Sequence, residues 1–173
     1  MPIQGLEIKL RRIPNFPKEG ILFYDITPLL QDAEAFTLSI DWLANAFKNE
    51  KVDKVVGIDA RGFLVAAPVA YRLGVGLAIV RKKGKLPYEI IREHHELEYG
   101  KSVLEMHIDA IEPGERIALI DDVLATGGTA DATIRLIKQL GGEIAGIGFL
   151  VELSEFPGRH KLAGYPIHSL ITL

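Results

Sequence analysis

The sequence contains no cysteine, and that one absence removes disulfides, thiolate nucleophiles and cysteine-ligated zinc together. Apolar runs are short, far below the ~20 residues needed to span a bilayer. The first residues, Met1-Pro2-Ile3-Gln4-Gly5, lack the basic start and apolar stretch of a signal peptide. A soluble, cytoplasmic protein with no membrane partner is therefore expected. Net charge is small too, −3 over 173 residues, because 20 Lys and Arg nearly balance 23 Asp and Glu. Broad attraction to nucleic acid is not expected, so any anion binding must come from local clusters. No repeat, low-complexity tract or Pro/Gly/Ser linker divides the chain, so residues 1–173 are expected to form one domain. Histidines are few. The adjacent His94 and His95 would face opposite ways on a strand and could not share one metal, while His107, His160 and His168 form no usable pattern.

What is present is a globular mixture, 48% hydrophobic and 25% charged. Leu6, Leu10 and Ile13 stand at helical spacing before Pro14 and Pro17 break the pattern. Residues 21–30 are apolar but interrupted by Asp25, Thr27 and Pro28, which suggests a folded loop. From Ala33 to Lys48 the positions Phe36, Ile40, Leu43, Ala44 and Phe47 follow a 3.6-residue period behind Asp32 as N-cap, which predicts a helix. An alternation follows. Strands are expected at Val55–Ile58, Leu77–Val80, Ile117–Ile120 and Ile144–Val151. Helices are expected at Gly62–Leu73, with Pro68 able to kink it, and from about Thr129 to Leu140. This reads as an α/β fold with a mostly parallel central sheet flanked by helices. Residues 81–107 break the rhythm: they are charged, contain Pro87, and are long for a connection, as lids and binding loops often are. A plain two-stranded ribbon is the alternative.

The most informative string is Ile117-Ala118-Leu119-Ile120-Asp121-Asp122-Val123-Leu124-Ala125-Thr126-Gly127-Gly128-Thr129. A buried strand runs into two carboxylates and then a small-residue turn that opens a helix. Ligands of parallel sheets bind at the carboxyl ends of strands, where this turn must lie. Gly127 and Gly128 let backbone amides approach an anion, the helix N-terminus adds a favourable dipole, and Thr126 and Thr129 offer hydroxyls. The Gly-Lys-Ser/Thr ending of a Walker loop is missing. Two carboxylates beside a phosphate cradle make sense if they accept hydrogen bonds from sugar hydroxyls and help hold a divalent cation. The alternative makes them a capping or solvated pair.

This string resembles the phosphoribosyl pyrophosphate (PRPP) signature of the type I phosphoribosyltransferases. By that resemblance Asp121 and Asp122 hold the ribose hydroxyls, and the amides of Ala125, Thr126, Gly127, Gly128 and Thr129 bind the 5′-phosphate. Further segments resemble adenine phosphoribosyltransferases in particular, in family order over nearly the whole chain. Asn15-Phe16-Pro17 followed by Gly20–Pro28 is similar to the base-binding segment, and Asp59-Ala60-Arg61-Gly62-Phe63 to the pyrophosphate loop. Arg81–Pro87 and Leu97-Glu98-Tyr99-Gly100 are similar to the ends of the mobile active-site loop. Leu150–Leu153 is similar to the strand closing over the purine.

The resemblance implies a type I phosphoribosyltransferase fold, with residues 1–31 as a base-binding hood and 81–107 as a mobile lid. It implies Mg²⁺-dependent transfer of phosphoribosyl from PRPP to N9 of adenine, giving AMP and pyrophosphate in purine salvage. Arg61 suits bidentate contact with pyrophosphate oxygens, although it could instead cap its strand or pair with Asp59. The resemblance also implies a cis peptide near Asp59–Ala60. Arg81, Lys82 and Lys85 would attract PRPP and pyrophosphate, with Lys83 less so, although such a run can also be a solvated face. Glu98 would guide the purine proton as the catalytic group, an effect worth ~10²–10⁴ in rate, and Tyr99 would pack at the closed site. Phe23 would stack on the purine, with Leu22 and Tyr24 flanking it and Leu153 as the opposite wall. Tyr24 departs from the family, where arginine is common; a backbone role would survive that change. Mg²⁺ would be held mainly by PRPP and water, with Asp121 and Asp122 nearby and no direct protein ligand.

A homodimer is implied, with the pyrophosphate and lid segments near its interface. The alternatives are the same chemistry on xanthine, hypoxanthine or guanine, or a PRPP-sensing regulatory protein. The regulatory reading expects a DNA-binding segment ahead of a match that here begins within the first few tens of residues.

Overall fold

The computed structural model describes residues 5–97 and 100–173. A 3₁₀ turn (Leu6–Lys9) leads into β1 (Arg11–Pro14), β2 (Leu22–Asp25), α1 (Thr27–Gln31) and α2 (Ala33–Phe47). The middle of the chain forms β3 (Lys54–Ile58), α3 (Gly62–Leu73), β4 (Gly76–Lys82), β5 (Ile90–Leu97) and β6 (Gly100–His107). Then come β7 (Arg116–Leu124), α4 (Gly128–Gln139), β8 (Glu143–Glu152), α5 (Gly158–Lys161) and β9 (Ile167–Thr172). Seven strands make one sheet in the order β5-β6-β4-β3-β7-β8-β9, while β1 and β2 pair separately. The run β4-β3-β7-β8-β9 is parallel, and β6 adds antiparallel to β4. The mostly parallel sheet expected from the alternation is what forms.

Helices cover both faces: α2 and α3 on one, α4 on the other. Period-two alternation sorts the strand residues between them. Val55, Ala118 and Ile120 join the core under α2 and α3, whereas Val56, Ile117 and Leu119 join the core under α4. The strands are buried on both faces, which is why they read as continuous apolar runs. On α2, Asp32 caps the helix by accepting from the Ala35 amide at 2.9 Å. Phe47, at the other end, is 1% exposed, a burial worth ~1.5–3 kcal/mol. Its ring packs over Gly146 and Gly148 of β8, where an added Cβ would stand 3.0 Å from it.

Two segments differ from the expectation, and a third takes one of its two expected forms. The helical spacing of Leu6, Leu10 and Ile13 resolves into the 3₁₀ turn and β1, because Arg11–Pro14 pairs with Leu22–Asp25. Leu6 and Leu10 are still buried, so the spacing reported burial and not helix. The loop expected at 21–30 is β2 followed by α1, whose Pro28 sits in the first turn, where a missing amide costs nothing. The excursion after β4 is the β5–β6 hairpin, antiparallel within itself and to β4. Pro68 lies inside α3 without ending it.

Candidate active site

The carboxyl ends of β3, β4 and β7 surround a cavity of about 450 Å³. Of the residues proposed from sequence, Asp59, Ala60, Arg61, Lys82, Asp121, Asp122, Ala125 and Thr129 line it. A smaller recess of about 90 Å³ adjoins it, formed by the turn from Leu124 to Ala130. The parallel sheet therefore brings together four segments that are far apart in sequence, at the place where such sheets bind ligands.

Asp121 and Asp122 stand near the end of β7, and both line the cavity. Burial, reinforced by the negative charge of Asp122, pushes the Asp121 carboxyl well above the usual carboxylate range. Its Oδ1 accepts the Asp122 amide at 2.9 Å. Asp122 is 7% exposed, and its Oδ2 lies 2.6 Å from Arg61 Nε in an ion pair. That oxygen is buried and accepts no aligned hydrogen bond. Beyond the pair, Gly127 turns the chain with φ 76° as the N-cap of α4. With no side chain capping that helix, its first amides face the recess.

The cationic side is organised by Asp59. The Asp59–Ala60 peptide is cis, as expected. The carboxylate, 3% exposed, lies 3.2 Å from Arg81 Nε and 3.7 Å from Lys85 Nζ, and it accepts the Lys82 amide at 3.4 Å. The Asp59 side chain is thus engaged with the basic turn. Arg81 also donates to the Lys85 carbonyl at 3.3 Å. From below, Glu105, wholly buried, accepts the Gly84 amide at 2.7 Å and Arg92 Nε at 2.9 Å. Sequence reasoning missed Glu105, and also Ser102, which lines the cavity. Only the hairpin register, which sets Glu105 opposite both Arg81 and Arg92, reveals the first.

The hood reaches the site through Phe23. Arg61 Cζ lies 5.2 Å from the Phe23 ring centroid, so one guanidinium touches both the hood and Asp122. Phe16 meets the same ring edge-on at 5.1 Å. Alternation turns Tyr24 the other way, where Arg12, its cross-strand partner, sits 6.0 Å over its ring. Leu22 is 43% exposed. Asp25 caps the turn into α1, and the Thr27 amide that it accepts holds its carboxyl below the ordinary value. Leu153 packs against the core beside β7, its amide donating to the Leu124 carbonyl at 2.9 Å. Glu98 and Tyr99 lie outside the described residues. β5 is tied to α4, where Arg135 Nε bonds Glu93 at 3.0 Å. Among the described residues, no three His, Asp or Glu converge to hold a metal ion, and no helix is long and apolar enough to cross a membrane.

The sequence of residues 26–161 matches the phosphoribosyl transferase domain. A relative from Caldicellulosiruptor saccharolyticus, named adenine phosphoribosyltransferase, is 54% identical over 167 residues, 96% of this chain and 95% of its own. The crystal structure of adenine phosphoribosyltransferase from Thermoanaerobacter pseudethanolicus superposes with a TM-score of 0.96 at 50% identity, covering 99% of this chain and 100% of that one. The Saccharomyces cerevisiae enzyme, solved with an imino-altritol bisphosphate and adenine, gives 0.90 at 40% identity, covering 97% of each chain. With the acidic pair, the small-residue turn and the cis-peptide loop meeting at one cavity, these likenesses place the chain in the adenine phosphoribosyltransferase family.

Proposed function

We propose that the chain transfers the phosphoribosyl group of PRPP to N9 of adenine, releasing pyrophosphate and forming AMP for purine salvage. The observation that carries this reading is the convergence at one cavity of a helix N-terminus, two carboxylates and a basic turn. Each part suits one portion of PRPP.

The turn Ala125–Thr129 takes the 5′-phosphate on its amides and hydroxyls, with the dipole of the 12-residue helix α4 behind them. Asp121 and Asp122 accept the ribose hydroxyls. Arg61 holds two neighbours in the structure, Asp122 and the Phe23 ring. Incoming pyrophosphate competes for its guanidinium, and freeing the Phe23 face would open a surface on which a purine stacks. Lys82, Arg81 and Lys85 meet the leaving pyrophosphate and stabilise the charge that develops on it. Magnesium fits this donor set: Asp122 Oδ2, buried beside Arg61, and the adjacent Asp121 carboxyl are hard oxygen donors. Bound with PRPP, the ion would offset the charge of the pyrophosphate. Asp121 and Asp122 would hold it, through water and PRPP oxygens.

Glu98 guides the N9 proton away from adenine. Closure of the β5–β6 hairpin keeps water from the activated sugar. A cytoplasmic homodimer belongs to the same proposal: Leu64 and Tyr71, seven residues apart on α3, are 53% and 85% exposed, an apolar stripe beside the Arg61 loop suited to a second copy.

The test incubates the purified protein with PRPP and Mg²⁺ and offers adenine, hypoxanthine, guanine and xanthine separately. Rapid AMP formation, little oxopurine product and loss of activity with EDTA are expected. Preference for an oxopurine would move the assignment to another purine. No product with any base despite PRPP binding would overturn the enzyme.

A further inference from the structure

We infer that Gly158 and Arg159 are positioning residues for the Ala125–Gly128 turn, fixing the place at which it meets the 5′-phosphate. The inference rests on reading that turn as the phosphate cradle. Gly158 opens α5 and is buried. It is not among the glycines with positive φ, so its backbone conformation does not require glycine. Space does. A Cβ on Gly158 would overlap the carbonyl oxygen of Ala125 and come 2.7 Å from Leu124 Cδ1. From the opposite side, a Cβ on Gly127 would meet the Gly158 carbonyl oxygen at 3.0 Å and its Cα at 3.1 Å. The cradle and the start of α5 therefore lie backbone against backbone.

The backstop is itself anchored. Arg159 grips Glu152 with both Nε, at 2.7 Å, and Nη2, at 2.6 Å. Glu152 ends β8 and is 5% exposed, and a bidentate guanidinium–carboxylate pair fixes orientation as well as distance. The next residue, Leu153, donates its amide to the Leu124 carbonyl at the mouth of the cradle. These contacts close a ring: the end of β7, the cradle, Gly158, Arg159, Glu152, Leu153 and back to β7. Moving the cradle requires moving the end of β8, and interiors packed this closely transmit displacement without absorbing it. Because amides bind phosphate within a narrow range of distance and angle, adding one methyl group at residue 158 should be felt as lost phosphate affinity.

Only PRPP and AMP carry the 5′-phosphate; adenine and pyrophosphate do not. Steady-state kinetics in both directions, with the fixed substrate saturating, therefore separate positioning from general damage. Gly158→Ala is expected to raise KM at least tenfold for PRPP and for AMP, while KM for adenine and pyrophosphate stays within about twofold and kcat falls less than KM rises. Arg159→Lys keeps the charge but loses the fork, and it should shift the same two constants by a smaller factor. Thr129→Ala serves as the reference for the cradle itself. If Thr129→Ala raises neither PRPP nor AMP KM, the phosphate reading falls. If it raises both while Gly158→Ala leaves them unchanged, or raises all four constants alike, the positioning inference is overturned. Should Gly158→Ala not fold, Arg159→Lys decides: a folded variant with wild-type KM for PRPP and AMP overturns the inference.

Discussion

Replacing Asp59 with asparagine tests how the cationic half of the site is built. Two effects oppose each other. Removing a negative charge beside an anion site favours pyrophosphate, by ~1 kcal/mol if solvent screens the interaction fully. Against this, the carboxylate orders Arg81 at 3.2 Å, Lys85 at 3.7 Å and the Lys82 amide at 3.4 Å. A hydrogen bond to a charged group contributes ~1.5–3 kcal/mol. Arg81 is 31% and Lys85 49% exposed, so solvent screening places the loss at the lower end, about 2 kcal/mol. The amide oxygen of asparagine can still accept the Lys82 amide, which keeps the fold of the turn. Anchoring wins, and KM for PRPP and pyrophosphate should rise about 10- to 30-fold. KM for AMP and adenine, which do not meet the basic turn, should change little. Initial rates in both directions measure all four. An unchanged or lower KM for pyrophosphate in Asp59→Asn would show that the carboxylate restrains the cations electrostatically and does not position them.

Asp121→Asn should separate stability from function. The Asp121 carboxyl is raised by burial and by Asp122, so its favourable contribution is complete only below the ordinary value of 3.8 and is lost as pH rises through the folded value. At pH 7 the asparagine variant should melt higher than wild type, with the gap closing in acid, while PRPP-dependent activity falls at least about tenfold through the lost sugar contact. A lower Tm at pH 7 would refute the account. Glu152→Gln should behave in the opposite sense. Its carboxyl is lowered chiefly by the Arg159 hydrogen bond, so its stabilisation is present above the ordinary 4.5 and lost as pH falls through the folded value. Breaking a buried pair costs ~3–5 kcal/mol; with Arg159 53% exposed, about 1–2 kcal/mol is expected at pH 7. Melting curves from pH 3 to 8 should converge at the acid end, and parallel curves would refute the linkage.

Local pattern was enough for the elements whose burial repeats along one segment. The helix from Ala33 and the strands at Val55 and Ile117 are legible because each is buried by its own periodicity. The strand ends were legible too, since acidic and small residues following an apolar run mark the carboxyl edge of a parallel sheet, and Asp121, Thr129, Asp59 and Arg61 all reach the cavity. Pairing between distant segments was not. β1 borrows its conformation from β2, and β9, with its polar His168 and Ser169, is a strand only because β8 lies beside it.

The sequence by itself determined the parallel alternation and the small-residue turn that opens α4, because each rests on neighbouring residues, while the cis peptide at Asp59–Ala60 was legible through the family resemblance. Only the tertiary structure decided that the Asp59 carboxylate serves the basic turn, that Glu105 supports it from beneath, and that Gly158 stands behind the cradle. Those roles depend on which backbones touch across the sheet, a distance that no one-dimensional spacing records.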